Sequence, residues 1–305
     1  MNVPATYDAW IDARNQSRID LFVEQDVLAS LEHTAQQSES ELFEALRAYP
    51  VDVVGALLMN IPLQYPALRK YLPSMAPKEV QLFWTGEHGL PLLLQSCAFV
   101  RAVKDAFLRY TGSKLNGLPI LDYGCGWGRL LRPMLAVSGP ENLFGCDPWH
   151  KSLEVCDGNH IRANIALSDY LPTDLPFPGR RFSLIYAFSV FTHLSERAAG
   201  AALSACRKHI ADNGIMAITI RPMSYWEKDV EVSGTPKAEE LKRMHAKKGF
   251  AFAPHVREAV DGDITYGDTS ISLDYIRRKW TDWELLGSDR LLQDPTQTIV
   301  FLKPR

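Results

Sequence analysis

Three glycines at alternating positions, Gly124, Gly126 and Gly128, follow the apolar pair Ile120-Leu121 and the carboxylate of Asp122. A glycine-rich turn between a buried strand and a helix offers bare backbone to a ligand. The first turn of that helix adds unpaired N–H groups and a partial positive charge. The spacing argues against two phosphate cradles. A Walker loop needs a Lys-Ser/Thr pair after its glycines, and none follows. A dinucleotide fingerprint places its third glycine three positions after its second. Here Gly128 comes one position early, and Arg129 stands where that glycine belongs. Asp122, two residues before the first glycine, would repel a pyrophosphate but suits a ligand with an ammonium group. A second carboxylate, Asp147, closes the apolar run Leu143 to Cys146, 25 residues after Asp122. That is close to the acidic residue, about 20 positions on, that accepts ribose hydroxyls in βαβ nucleotide folds. Together these groups read as a site for a nucleoside without a pyrophosphate.

S-adenosylmethionine has a sulfonium, an ammonium, a carboxylate and no phosphate. Asp122-x-Gly124-x-Gly126-x-Gly128 resembles the first motif of class I S-adenosylmethionine-dependent methyltransferases. Ser189-Val190-Phe191-Thr192-His193-Leu194-Ser195-Glu196, after the apolar run Phe182 to Phe188, resembles their fourth motif, where a strand end and its loop line the methyl-transfer site. The resemblance covers about residues 82 to 303 and is strongest over 118 to 221. It implies a cofactor site at Asp122, the three glycines, Asp147, Ser168 and Ser189, with an adenine acceptor at Ser168 or Asp169. Trp149 offers a ring either to adenine or to the core. The segment Trp84-Thr85-Gly86 is similar to a Thr-Gly segment that approaches the cofactor in glycan- and small-molecule-directed members. That adds Trp84 and Gly86, although a helix-entry loop with a buried Trp explains the segment equally well.

A hydroxyl acceptor must lose its proton, and a histidine is the natural base near neutral pH. The fourth motif points to His193, with His88 and His255 as the other candidates. Arg129, Arg221 and Tyr186 are the expected acceptor-binding side chains; Arg129 and Arg132 could also meet the cofactor carboxylate or only neighbouring acids. Asp261, Asp263 and Asp268 read as a solvated acidic turn rather than a metal site, because their spacing does not match a calcium loop. The resemblance leans to O-methylation of a sugar or other polar small molecule in a bacterial glycan or secondary-metabolite pathway. N- or C-methylation of a small molecule, a non-catalytic methyltransferase-like subunit, and an oxidoreductase on the same fold are the competing classes. Titration with S-adenosylmethionine and with NAD separates them.

The elements that must position these groups are legible as well. Residues 1 to 81 read as a helical extension, with Ser38 and Glu41 forming a capping box and Val51 to Met59 apolar on nearly all sides. A long helix is expected over Leu90 to Tyr110. Alternating strands and helices then predict a Rossmann-like, doubly wound, mostly parallel seven-stranded sheet over 82 to 305. The glycine turn should open an amphipathic helix. Strands are expected at Arg162 to Leu167, Phe182 to Phe188 and Ile215 to Ile220, with a turn at Asp212 to Gly214. The rhythm breaks over 223 to 268, which reads as a cap on the site, and a closing antiparallel hairpin follows. In the 305-residue chain, a net charge of -3 with no long basic run disfavours nucleic acid and anionic membranes. Five widely spaced cysteines read as a reduced, cytoplasmic chain. A homodimer through the helical extension and a small-molecule or glycan acceptor complete the expected partners.

Overall fold

The computed structural model describes residues 7–228 and 234–305; residues 229–233 of the expected cap lie outside them. The first part of the chain is helical: α1 (Tyr7–Asp20), α2 (Gln25–Gln37), α3 (Glu39–Leu46), α4 (Val51–Leu57), α5 (Pro66–Tyr71) and α6 (Lys78–Thr85). Ser38 caps α3 by accepting the Glu41 N–H through its hydroxyl. The buried carboxylate of Glu32 accepts from the Ala67 and Leu68 N–H groups at 3.0 and 2.9 Å, so α2 caps the start of α5. The long helix α7 (Gly89–Thr111) leads into the sheet.

The chain then alternates β1 (Ile120–Tyr123), α8 (Leu131–Met134), β2 (Leu143–Asp147), α9 (His150–Gly158), β3 (Asn164–Leu167), β4 (Phe182–Ala187), α10 (Glu196–His209) and β5 (Ile210–Ile220). Beyond β5 come a 3-10 turn (Met223–Glu227), α11 (Pro236–Lys248), β6 (Phe250–Pro254), β7 (Gly267–Ile271), α12 (Leu273–Lys279), β8 (Trp283–Leu291) and β9 (Asp294–Pro304). Seven strands form one sheet in the order β3-β2-β1-β4-β5-β9-β8. The first five are parallel, while β9 runs antiparallel to β5 and to β8. The chain winds outward from β1 to β3, then returns to start β4 on the other side of β1. Such a reversal opens a crevice at the carboxyl ends of the two central strands.

Both faces of the sheet are covered, and the period-two alternation shows how. Ile120, Leu184, Ala217 and Phe301 point to the face covered by α7 and the extension, in one core with Leu42, Leu57 and Phe99. Their neighbours Leu121, Ile185, Ile218 and Leu302 point to the other face, with Ala202 of α10 and Ile276 of α12. The extension therefore shares the main core.

Two local expectations are corrected. The amphipathic helix after the glycines is one turn, α8, and all four of its residues are buried. Pro133 lies inside it and lacks the N–H that a longer helix would need. The expected turn at Asp212 to Gly214 lies within β5, which starts directly after α10 and carries a register shift opposite Phe182 and Leu184. Among the described residues, no helix is long and apolar enough to cross a membrane.

Arg132 joins the two halves of this architecture. It is buried at α8 and donates to the Ser74 and Leu58 carbonyls of the extension. Burial pushes its pKa down to about 9, which leaves it charged at neutral pH. Arg132→Met leaves both carbonyls without these donors. It should lower the unfolding free energy by about 3 kcal/mol, read as a lower urea midpoint at unchanged slope.

Candidate functional site

The strand reversal frames a cavity of about 530 Å³. Asp122, Gly124, Gly126, Asp147, Ser189 and His193 all line it. A second cavity of about 470 Å³ lies by β5, β7 and β8 and contains none of these groups.

The floor is built by the glycines. Gly124 has φ +77, and a Cβ there would come within 2.5 Å of Val190 in the loop after β4. The two central loops can approach only because the side chain is missing. Gly126, at φ +54, lies under the Trp84 ring. Gly128 does not line the cavity; its Cα faces Ile161, 2.8 Å from where a Cβ would stand.

Asp147 holds this floor in place. Its two carboxylate oxygens accept from the Gly126 N–H at 3.0 Å and the Trp149 N–H at 2.9 Å. Burial raises its pKa, and the bonds from Trp149, Gly126 and Ser152 oppose the rise. Asp122 is more deeply buried, and burial pushes its carboxyl up to about 8 against the Tyr186 hydroxyl and Arg129. The expected carboxylate at Asp122 is therefore chiefly a neutral acid at pH 7 until a cation arrives.

Trp149 packs face to face on Trp84, with centroids 5.0 Å apart and planes 28° apart. That spacing has no room for a third ring. A ligand ring either takes the open face of the 38 % exposed Trp149 or displaces Trp84. Gly86 ends α6 in a left-handed cap and is not part of the cavity wall. Ser168 does not reach the cavity either; its neighbour Asp169 does.

At the other end stands a charged network. The Asp268 carboxylate accepts from Arg221 at 2.5 Å, from His255 at 2.8 Å and from the Tyr225 hydroxyl at 3.2 Å. Burial would raise the Asp268 pKa, but His255 and Arg221 more than offset it and hold it below the usual range. His193 stacks on Tyr266 at 4.9 Å with planes nearly parallel. Its Nδ1–H points to the Gly267 carbonyl at 2.8 Å, and Nε2 then accepts from Arg221 at 3.2 Å. Burial and Arg221 push the His193 pKa down to about 4. In this arrangement the one lone pair of His193 is engaged by Arg221. His88 faces Asp12 of α1 and not the cavity. His255 is bound to Asp268 and sits beyond the cavity wall.

The acceptor-binding expectations divide in the same way. Arg129 and Arg221 line the cavity; Tyr186 is wholly buried in the core behind it. Arg129 donates to Gln95 at 2.5 Å and lies 4.6 Å over the Phe188 ring. Asp261, Asp263 and Asp268 serve Arg197, Ser195 and Arg221 respectively. Among the described residues, no three His, Cys, Asp or Glu side chains gather as a metal set.

Several lining residues were not anticipated: Gln95 of α7, Arg257 and Tyr266 of the cap, and Asp294, Thr296 and Gln297 at the start of β9. None belongs to a local motif, so only the folded hairpin and cap reveal them. Ser189 carried one clue afterwards visible in its backbone, a left-handed φ of +58, held by the Thr219 hydroxyl accepting its N–H at 2.7 Å. Such strain in a non-glycine residue clusters at functional sites.

Residues 120–214 match a family model described as a methyltransferase domain. A ubiquinone biosynthesis O-methyltransferase of Azorhizobium caulinodans is 29% identical over 163 residues, 48% of this chain and 62% of the relative. One of Rhodopseudomonas palustris is 30% identical over 162 residues, with the same shares. The chain thus spans about 62% of the length of these curated relatives. Among solved structures, the glycopeptide N-methyltransferase MtfA with sinefungin is similar at a TM-score of 0.46 and 14% identity, covering 67% of this chain and 86% of that one. A methyltransferase from Clostridium acetobutylicum gives 0.46 at 12% identity, covering 73% and 95%.

The His193 geometry has a measurable consequence. Its folded pKa lies below the ordinary 6.5 or so, so the unfolded chain binds more protons between about pH 6.5 and 4. Stability from this group is complete above 6.5 and is lost as pH falls toward 4, by no more than about 3 kcal/mol. The His193 imidazole NMR shifts should stay those of the neutral ring down to pH 5. A midpoint near 6.5 would overturn the engagement described.

Proposed function

We propose that this chain, a member of the class I S-adenosylmethionine-dependent methyltransferases, transfers the methyl group to a hydroxyl oxygen of a polar small molecule, whose proton passes to solvent. Its cofactor is S-adenosylmethionine. The observation that carries the reading is the convergence of the glycine loop and Asp147 on one cavity at the strand reversal. The donors fit the cofactor. Asp147 spends one lone pair of each oxygen on backbone N–H groups, so further lone pairs are available to ribose hydroxyls. Asp122 at the cavity floor supplies a negative charge to an ammonium once it ionises.

When bound, the cofactor supplies an activated methyl group. The protein's share is orientation and exclusion of water. The loop after β4 is held from both sides for that purpose. Its Thr192 and His193 carbonyls accept from the Thr269 and Gly267 N–H groups of β7, and Ser195 N–H donates to the Thr265 carbonyl. Residues 223 to 268 thus read as the acceptor-facing cap, with Arg257 and Tyr266 turned to the cavity. His193 acts here as a holder of Arg221. Methylation of a sugar or glycan hydroxyl is the finer reading, supported by polar groups at the acceptor end. The cytoplasm as compartment is supported by five free, buried cysteines. A homodimer would cover the exposed Leu21, Phe22 and Leu63 of the extension.

Two measurements test this function. Asp147→Ala should weaken S-adenosylhomocysteine binding by about 2 kcal/mol, roughly 30-fold. Unchanged affinity in calorimetry would remove Asp147 from the ribose site, and wild-type binding of NAD in place of S-adenosylhomocysteine would remove the reading itself. Second, the kcat–pH profile should lack an acid limb between about pH 5.5 and 7.5. A limb near 6.5 would mean that a histidine takes the acceptor's proton after all.

A further inference from the structure

The second cavity, of about 470 Å³, has the size of a small-molecule site, about 300–1,000 Å³. It shares no lining residue with the first. Ile220 and Thr298 line it, while their chain neighbours Arg221 and Gln297 line the first cavity. Successive side chains on a strand face opposite sides. The ends of β5 and β9 are therefore a wall between two separate spaces. The apolar part of the second is Ile220, Ile271, Leu273 and the 40% exposed Met223.

Two polar side chains of this cavity carry groups that the protein leaves unclaimed. His245 of α11 is 8% exposed, and its Nδ1 meets the Ser270 hydroxyl at 2.7 Å. The Trp226 indole N–H donates to the same hydroxyl at 2.7 Å, so the imidazole is held from behind. Its other ring nitrogen, Nε2, keeps accessible surface and has no partner among the described residues. The exposed Arg290 of β8 donates through Nε to the Thr298 hydroxyl at 3.0 Å, which holds its stem along the cavity. Its two Nη groups meet no carboxylate among the described residues. Asp289, the acid that also lines the cavity, turns one oxygen back to accept the Arg290 backbone N–H at 2.7 Å.

We propose that this cavity is a second ligand site, separate from the methyl-transfer cavity, for a small amphipathic anion: a carboxylate on an apolar body. The body covers Ile220, Ile271 and Leu273, and the carboxylate meets Arg290 and His245. The donors select the charge. A guanidinium only donates, and its planar fork matches the two oxygens of a carboxylate. A cationic ligand would face Arg290 with Asp289 alone in its favour. A wholly apolar ligand would cover the His245 Nε2 without giving it a partner, which is costly. The inference requires nothing of the first cavity and stands whether or not that cavity holds a nucleoside.

The test uses 2-naphthoate as probe and 2-naphthamide as its neutral isostere, titrated into the whole protein by calorimetry and NMR at neutral pH. Naphthoate should bind the wild type about tenfold or more tighter than the amide. The His245 imidazole resonances should move during the titration while those of His193 stay in place. Arg290→Met should remove the preference for the acid. Ser288→Trp, which fills the cavity from an exposed position on the edge strand β8, should abolish binding of both probes. Affinity for S-adenosylhomocysteine should stay within about twofold in both variants and under saturating naphthoate, as expected of separate sites. Absence of naphthoate binding removes the site. Equal affinity for acid and amide, or a preference for the acid that survives Arg290→Met, removes the anion. Displacement of naphthoate by S-adenosylhomocysteine, or His245 resonances that do not move, places the probe in the first cavity and overturns the proposal. If Ser288→Trp fails to fold, Arg290→Met and the His245 resonances decide.

Discussion

The geometry of the site depends on one carboxylate. Asp147 stands at the end of β2 and binds the Gly126 N–H on one side and the Trp149 N–H on the other. Those two bonds tie the glycine loop after β1 to the turn after β2. The Gly124 and Cys125 N–H groups add a second tie by donating to the Cys146 carbonyl at 2.8 and 3.0 Å. Burying an anion is costly unless it is hydrogen-bonded, and here the bonds that offset the cost also shape the floor. The same group can then serve a ligand without rearranging, because its position is already determined by backbone. This is preorganisation in a concrete form: the ordering cost is met during folding rather than on binding.

Legibility in the sequence followed the range of the interactions. Positions set by their own strand or turn are legible: Gly124 and Gly126 in the turn after β1, Asp147 at a strand end, the Ser38 cap, and β4 as a central strand from its apolar run. Period-two burial in β1, β4 and β9 follows from the same local rule. Misreadings occurred where a distant partner decides. Arg132 reads as a cation for the cofactor carboxylate, an anionic substrate or neighbouring acids, yet it serves two carbonyls of the extension. Tyr186 alternates into the core because Ile185 and Ala187 take the other face. The apolar pattern after the glycines suggests a longer helix than Pro133 allows. Asp294 and Gln297 gave no signal, since only the antiparallel return of β9 carries them over the edge of the parallel strands.

His193 shows how a motif residue changes meaning with its surroundings. A histidine after the fourth strand suggests proton transfer because free imidazole titrates near neutrality. In the fold its ring lies flat against Tyr266, its Nδ1–H meets a carbonyl, and its Nε2 meets a guanidinium. Burial and the Arg221 guanidinium favour the neutral ring and outweigh Asp268 and the Gly267 carbonyl, which favour the charged one. The guanidinium in turn is held by Asp268, which His255 and Tyr225 also hold. The unit is a chain of partners that links the loop after β4, the end of β5 and the cap. Its evident product is position: it places Arg221 and Tyr266 on the cavity wall.

Two parts of the cavity wall differ in kind. Near β9, one oxygen each of Asp294 and Gln297 is buried without a hydrogen-bond partner. Near the cap, the donors and acceptors of Arg221, His193 and Asp268 satisfy one another. A ligand that bound at the cap end through its polar groups would have to break existing charge-assisted bonds, each worth about 1.5–3 kcal/mol. The flat Tyr266–His193 stack adds an aromatic face to the same wall.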